Sequence, residues 1–177
     1  MNVFVAGIHC VGKTYLASRA APKAGMVHKS ASNLIKEERA LVTWTDDKRV
    51  ADVSANQQAL AAAVRRYNES GTRLLLDGHF VLQAPSGELI RLERNVFAAI
   101  GLNGVLLIEA DPQTVAQRIE ARDEQQASID HLKALMGAER DQAQKVCAEL
   151  RIPLTVLVSP SPEAFEAAVA SFRHDRE

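Results

Sequence analysis

The sequence predicts a three-layer α/β fold in which a parallel sheet carries helices on both faces. Five short apolar runs alternate with segments whose apolar residues recur at helical spacing, and this alternation implies crossover connections between parallel strands. The runs 74–76 and 105–108 are almost continuously apolar, which is typical of strands covered on both sides. The 177-residue length and 47% hydrophobic content suit one core, so residues 1–177 are expected to form a single domain.

The predicted strands and helices follow one another along the chain. Strands are expected at 2–6, 25–29, 72–77, 104–110 and 154–159. Helices are expected at 13–22, 31–41, 46–69, 91–100, 112–121, 128–150 and 162–172. Asp111 and Ser161 each precede a proline, which is the arrangement of a capping residue before the first helical position. The stretch QAPSGEL around Gly87 is predicted to form a turn or a short hairpin.

Composition excludes several classes of protein. The 21 Lys and Arg residues nearly balance 22 Asp and Glu residues, so no global positive field favours nucleic acid, and no DNA partner is expected. No apolar run approaches the ~20 residues of a membrane helix, and the N-terminus has no secretory pattern. We therefore expect a cytoplasmic protein without a membrane partner, in which Cys10 and Cys147 are reduced thiols.

The segment GIHCVGKT, residues 7–14, matches G-x-x-x-x-G-K-[ST] between a predicted strand and a predicted helix. Glycines at both ends permit the backbone to turn successive N–H groups inward, and the N-terminus of the helix adds its positive dipole. In this pattern the lysine reaches the outer phosphates, and the threonine hydroxyl ligates Mg²⁺. The motif predicts ATP and Mg²⁺ as cofactors. The predicted cofactor-binding residues here are Gly7, His9, Cys10, Val11, Gly12, Lys13, Thr14 and Tyr15.

Asp77 ends the third apolar run, in the sequence RLLLDGHF. In an open parallel sheet, ligands lie outside the carboxyl ends of the strands, so this carboxylate is expected beside the loop if the two strands are neighbours. There it would hold a water of the Mg²⁺ shell, and with Thr14 it forms the predicted metal site. The alternative for Asp77 is a turn residue before Gly78. His79 is either a turn or partly buried histidine or a group directed at a phosphoryl group.

Arg118 and Arg122 are four residues apart and lie on one face of a predicted helix. Two guanidinium groups suit phosphoryl transfer, in which charge is spread over several oxygens. The alternative is a solvated face on which they pair with Glu120 or Asp123. The polar segment ARDEQQASID that follows is either a solvated connection or a mobile lid.

These motifs, in this order, resemble the nucleoside monophosphate kinases of the phosphate-loop class. The likeness is closest to archaeal-type adenylate kinases and compact AAA-family ATP-binding proteins, and it spans nearly the whole chain. It implies a five-stranded parallel sheet of order 2-3-1-4-5, a monophosphate-binding region at about 30–70 and a short lid at about 122–128. The lid follows from RIEARDE, and the monophosphate-binding region begins in KSASNLIKEER.

The resemblance also implies roles for individual residues. Lys13, Asp77 and Arg122 would be catalytic, Arg118 would contact the nucleotide, and Ser161 would lie in the loop that holds adenine. The predicted substrate-binding residues are Ser32, Arg39, His79 and Arg140.

The sequence departs from the family pattern at two places. His9 and Cys10 occupy positions where many of these kinases have proline and glycine, and a side chain at Cys10 restricts how closely the loop wraps a phosphate. No arginine follows the third strand closely, where longer adenylate kinases grip the monophosphate. Candidates to replace that charge, which a solvated surface explains equally well, are Lys36, Arg39, Lys48 and Arg49. Trp44, between them, is expected to pack rather than to stack on a base.

The sequence is consistent with three functions. The leading interpretation is a kinase that moves the γ-phosphoryl group of ATP to a nucleoside monophosphate, with AMP as the expected acceptor. The first alternative is an ATPase or regulatory nucleotide-binding protein that acts through a protein or RNA partner, although no basic stripe or aromatic platform supports RNA binding. The second is a small-molecule kinase in which Asp77 acts as a base towards an acceptor hydroxyl.

Overall fold

The computed structural model describes residues 1–41, 53–84, 86–124 and 126–172. The first part of the helix predicted at 46–69 lies outside these residues, and so do Trp44, Lys48 and Arg49. None of the helices in the described part combines the length and the apolar character that a bilayer-spanning segment requires.

The predicted strands and helices occur in the described residues in the expected order along the chain. The strands are β1 (Asn2–Ala6), β2 (Val27–Ser30), β3 (Leu74–Asp77), β4 (Val81–Gln83), β5 (Leu89–Arg91), β6 (Leu102–Glu109) and β7 (Leu154–Val158). The helices are α1 (Lys13–Lys23), α2 (Ala31–Leu41), α3 (Val53–Glu69), α4 (Arg94–Ala99), α5 (Pro112–Asp123), α6 (Ile129–Leu150) and α7 (Pro162–Ser171).

Five parallel strands form the main sheet in the order β2-β3-β1-β6-β7. This is the predicted order 2-3-1-4-5, with the strands β4 and β5 of a separate hairpin inserted into the numbering. Strand β1 is central and fully buried, and two clusters of buried apolar side chains lie on opposite faces of the sheet. The three-layer α/β fold is therefore confirmed, and burial of both faces explains why the central strands are apolar throughout.

The segment predicted to form a turn or a short hairpin forms a hairpin. Strands β4 and β5 pair antiparallel around the turn that contains Gly87. The helix predicted at 91–100 is consequently shorter, because Leu89–Arg91 pairs with β4 and α4 begins only at Arg94. The two predicted caps are confirmed: the Asp111 carboxylate accepts from Thr114 N at 3.0 Å, and the Ser161 hydroxyl accepts from Ala164 N at 3.2 Å.

The register of β1 and β3 positions the site. Val5 is opposite Asp77, so both strands end at the same edge of the sheet, and Gly78 N donates to Val5 O at 3.1 Å. The loop after β1 and the segment after β3 therefore leave the sheet side by side. This edge is the carboxyl end of the strands, where open α/β sheets bind their ligands.

Candidate active site

The loop between β1 and α1 has the backbone that its glycines permit. Gly7 has φ 139° and Gly12 has φ 104°, both in the region that side chains disfavour. Gly7 is also held close to β6, because a Cβ there would lie 2.4 Å from Ile108 O. Cys10 adopts φ 63°, so a residue with a side chain occupies a left-handed position within the loop.

Lys13 folds back over the loop. Its Nζ donates to Gly7 O at 2.6 Å and to Ile8 O at 2.9 Å, and the side chain is buried. Burial lowers the pKa of Lys13 to about 8, against the opposing negative charge of Glu139 and Asp77. An incoming phosphate would compete with the two carbonyl oxygens for this ammonium group.

Asp77 lies at the end of β3 with two donors on one oxygen. Its Oδ2 accepts from the Thr14 hydroxyl at 3.1 Å and lies 2.7 Å from His28 Nε2. Burial opposes ionisation, but the hydrogen bond and charge of His28, the Thr14 hydroxyl and the charge of Lys13 hold the pKa of Asp77 below its usual value.

The pair formed by Asp77 and Thr14 is a fitting set for Mg²⁺. Both supply oxygen donors, and Mg²⁺ in phosphate-loop sites is held by a hydroxyl, one carboxylate and the phosphates themselves rather than by an all-protein cage. Among the described residues, no group of three or more His, Cys, Asp or Glu side chains could hold a metal ion.

Glu139 of α6 ties the loop to the segment after β3. Its carboxylate accepts from Gly7 N at 3.2 Å, from Phe80 N at 2.9 and 3.0 Å, and from Val81 N at 2.7 Å. The side chain is 1% exposed. Burial raises the pKa of Glu139, while these three donors and the charge of Lys13 oppose the rise.

Two of the cavities formed by the described residues meet at this edge of the sheet. The phosphate-loop cavity has a volume of about 660 Å³. Its lining residues are His9, Cys10, Val11, Gly12, Lys13, Thr14, Tyr15, Leu16, Asp77, His79, Arg118, Arg122, Ser159 and Pro160. The predicted loop residues thus lie together on its wall, apart from Gly7, whose carbonyl and N–H are engaged by Lys13 and Glu139.

The apolar cavity has a volume of about 240 Å³ and lies between β3, α2, α3 and α4. Its apolar lining consists of Phe4, Ala31, Ile35, Leu60, Leu82, Leu92, Val96, Phe97 and Ile100. Its polar lining consists of Ser32, Asn56, Gln57, Asp77, Gly78 and His79. Asp77 and His79 line both cavities, so the two spaces meet at these side chains.

His79 is neutral at this junction. Burial, together with the positive charge of Lys13, lowers the pKa of His79 to about 4. Burial and the charge of Arg122 also lower the pKa of His9. Both imidazoles are therefore uncharged hydrogen-bonding groups at neutral pH.

The predicted arginines of α5 lie on the wall of the phosphate-loop cavity. Arg118 donates to Cys10 O at 3.1 Å, which holds the helix to the loop. The Arg122 guanidinium is exposed and pairs with the adjacent Asp123, through bonds of 2.7 and 2.6 Å. The pair of Arg122 with Asp123 is the one predicted if this helix face is solvated. The position of Arg122 on the cavity wall is the one predicted if it contacts phosphate.

Three other predicted residues, Ser32, Arg39 and Ser161, lie on or near the walls of the two cavities. Ser32 lines the apolar cavity, and Arg39 donates to the cavity residue Asn56 at 2.8 Å. Ser161 caps α7 and is not on the wall of the phosphate-loop cavity, to which its loop contributes Ser159 and Pro160.

Arg140 lies in a separate groove between α6 and the end of β6. Its guanidinium pairs with Glu109 through both Nε and a terminal nitrogen. This geometry gives no support to the predicted contact of Arg140 with substrate, because neither cavity includes it on its wall.

The site also contains residues that the sequence did not point to. His28 reaches the site because β2 pairs with β3. Asn56 and Gln57 reach it because α3 packs against the apolar cavity. The one signal in the sequence was a histidine within a weak strand.

Comparison with known proteins identifies the family. Residues 6–135 match the family described as AAA domain. The chain belongs to this AAA domain family. It is also 30% identical over 143 residues to an adenylate kinase of Saccharolobus islandicus, with 72% of each chain covered. The predicted relation to phosphate-loop kinases of the archaeal adenylate kinase type is thereby confirmed.

Solved structures agree on the fold. A sugar kinase from a Janibacter species superposes with a TM-score of 0.57 at 16% identity, over 97% of this chain and 93% of that one. The shikimate kinase of Aquifex aeolicus superposes with a TM-score of 0.55 at 12% identity, over 98% of this chain and 96% of that one. At these identities the likeness establishes a phosphate-loop kinase fold and leaves the acceptor open.

Proposed function

We propose that this AAA domain protein is a kinase that transfers the γ-phosphoryl group of ATP to an acceptor in the apolar cavity. The observation that carries the proposal is the junction of the two cavities at Asp77 and His79. A triphosphate held by the loop would direct its terminal phosphoryl group towards this junction. An acceptor on the other side would meet it there, as in-line transfer requires.

The nucleotide side of the reaction uses the loop and α1. Inward-facing N–H groups and the Lys13 ammonium would stabilise the charge on the transferring oxygens. Thr14 and Asp77 would hold Mg²⁺, which would neutralise negative charge on the phosphates. Arg118 and Arg122 would add positive charge from the cavity wall. The short lid proposed at 122–128 includes residue 125, which lies outside the described residues.

The acceptor that the relatives favour is a nucleoside monophosphate, with AMP first among them. The curated relatives are named adenylate kinases, and the apolar walls of the second cavity suit a base. The hydroxyl of Ser32 and the amides of Asn56 and Gln57 supply hydrogen-bonding groups there. Arg39 contacts Asn56 and is the described cation we assign to the monophosphate.

A second candidate acceptor is a small molecule that carries a hydroxyl group. Among the described residues that line the apolar cavity, Asp77 is the sole charged side chain. A carboxylate at the junction would accept the proton of an attacking hydroxyl, as kinase aspartates do. The solved structures that share the fold include proteins named sugar kinase and shikimate kinase, which is consistent with such an acceptor. For either acceptor, a cytoplasmic location remains our prediction.

An acceptor screen tests the proposal. Purified protein is incubated with ATP and Mg²⁺ together with each nucleoside monophosphate or with small hydroxylated acids and sugars, and phosphorylated product is quantified. Formation of ADP from AMP supports the leading acceptor, and product from a hydroxyl compound supports the second. Release of phosphate at one rate under all conditions, with no phosphorylated product, would favour the ATPase alternative.

A variant that fills the apolar cavity sharpens the screen. Ile35→Trp places a larger side chain on its wall, so the KM for the acceptor should rise at least tenfold while the KM for ATP changes little. Val156→Trp, on the 39% exposed Val156 of the edge strand β7, is the matched control and should leave both values unchanged. Equal KM values for the acceptor in both variants would place the acceptor elsewhere.

A further inference from the structure

His28 contacts the site from outside the phosphate-loop motif. It lies on β2, opposite Leu75 in the register with β3, so its ring reaches two residues along the neighbouring strand to Asp77. Its Nε2 lies 2.7 Å from Asp77 Oδ2, and the side chain is 17% exposed. Because the ionised carboxylate only accepts, the imidazole donates through Nε2–H.

The two donors to Asp77 converge on one oxygen. Thr14 and His28 both bond to Oδ2, which fixes the rotation of the carboxylate about its own axis. The other oxygen, Oδ1, is then the one available to a metal-bound water or to an acceptor hydroxyl. Thr14 would have a second role in this arrangement, since its hydroxyl oxygen would also contact the metal ion.

Lys13, the other charged neighbour of Asp77, does not orient the Asp77 carboxylate. Its ammonium group is directed at the carbonyl oxygens of Gly7 and Ile8, at 2.6 and 2.9 Å. An incoming phosphate would draw it towards the loop cavity. His28 is therefore the partner of Asp77 whose contact does not depend on nucleotide or metal.

We propose that His28 is a positioning residue, whose hydrogen bond holds the Asp77 carboxylate in the orientation that its Mg²⁺-dependent role requires. The inference rests on the proposed function only in taking Asp77 to act through Mg²⁺. It extends the site to β2, and it links the orientation of the carboxylate to the strand that leads directly into α2 and the apolar cavity.

The test compares two substitutions of His28. His28→Gln keeps an N–H donor at similar reach, whereas His28→Leu keeps bulk and removes the donor. Nucleotide affinity is measured by calorimetry with ATP, with and without Mg²⁺ and without any acceptor. In His28→Leu the gain in affinity on adding Mg²⁺ should fall by about 10–100-fold, the factor corresponding to a hydrogen bond to a charged group. His28→Gln should recover most of that gain.

Metal-free ATP affinity should be the same in both variants as in the wild type. His131→Leu removes an exposed histidine that contacts Gln83, and as the control it should retain the full Mg²⁺-dependent gain. A wild-type gain in His28→Leu would overturn the proposal, and so would an equal loss in both His28 variants. These measurements need no acceptor, so a failed acceptor screen would refute the proposed function without deciding the role of His28.

Discussion

Removing the Glu139 carboxylate should destabilise the protein strongly, because three buried backbone donors depend on it. Glu139→Ala would leave the N–H groups of Gly7, Phe80 and Val81 without their acceptor, in a place where the carboxylate is 1% exposed. Each unsatisfied donor costs about 1–3 kcal/mol, and partial relaxation keeps the sum near 3–5 kcal/mol. The melting temperature of a domain of this size should then fall by roughly 6–20 °C.

Chemical denaturation gives the free energy of unfolding, and amide hydrogen exchange gives the local effect. Exchange at Gly7, Phe80 and Val81 should accelerate more than exchange elsewhere in the sheet. Glu149 is exposed on the same helix, so Glu149→Ala is the matched control. It should change the free energy of unfolding by less than about 0.5 kcal/mol, as is usual for surface substitutions. A Glu139→Ala protein whose free energy of unfolding lies within about 1 kcal/mol of wild type would show that the three N–H groups do not depend on this carboxylate.

Four further predictions concern individual side chains. Because burial lowers the pKa of Lys13 to about 8, ADP binding above pH 8 should take up a proton, which calorimetry in buffers of different ionisation enthalpy detects. The pKa of His79, about 4 when folded and 6.5 in the reference state, predicts that stability is lost as pH falls from 6.5 to 4, and His79→Gln should flatten that loss in acid-unfolding curves. Cys10→Gly should relieve the left-handed φ of 63° and tighten nucleotide binding several-fold in titrations, whereas unchanged affinity would show that the loop tolerates the side chain. Arg122→Ala should lower kcat by roughly a hundredfold with little effect on ADP affinity, and normal turnover would identify Arg122 as a solvated residue.

Much of the fold could be predicted because its signals are local. The apolar runs specify the buried strands, and residues 7–14 specify the loop that joins β1 to α1. The start of α4 was harder to predict, because the apolar spacing is compatible with a helix that begins at residue 91 as well as with one that begins at Arg94. Pairing of Leu89–Arg91 with β4 decides against helix there, and that pairing is a tertiary interaction.

The candidate site was less predictable where it depends on neighbours distant in sequence. His28 reaches Asp77 only because β2 pairs with β3, and nothing in a single histidine reveals which strand lies beside it. Glu139 and Arg140 are consecutive on α6, but successive helical residues point about 100° apart. One side chain is therefore buried against the loop, and the other pairs with Glu109 in a separate groove.

The destination of the γ-phosphoryl group shows whether the protein is a kinase that acts on a separate acceptor. ATP labelled in that group is mixed with Mg²⁺, the protein and the acceptor selected by the screen, and the labelled products are separated over a single turnover. We predict that label moves into the acceptor, and that Lys13→Ala abolishes the transfer while the protein remains folded. Label found only in inorganic phosphate, at a rate that no acceptor changes, would contradict it.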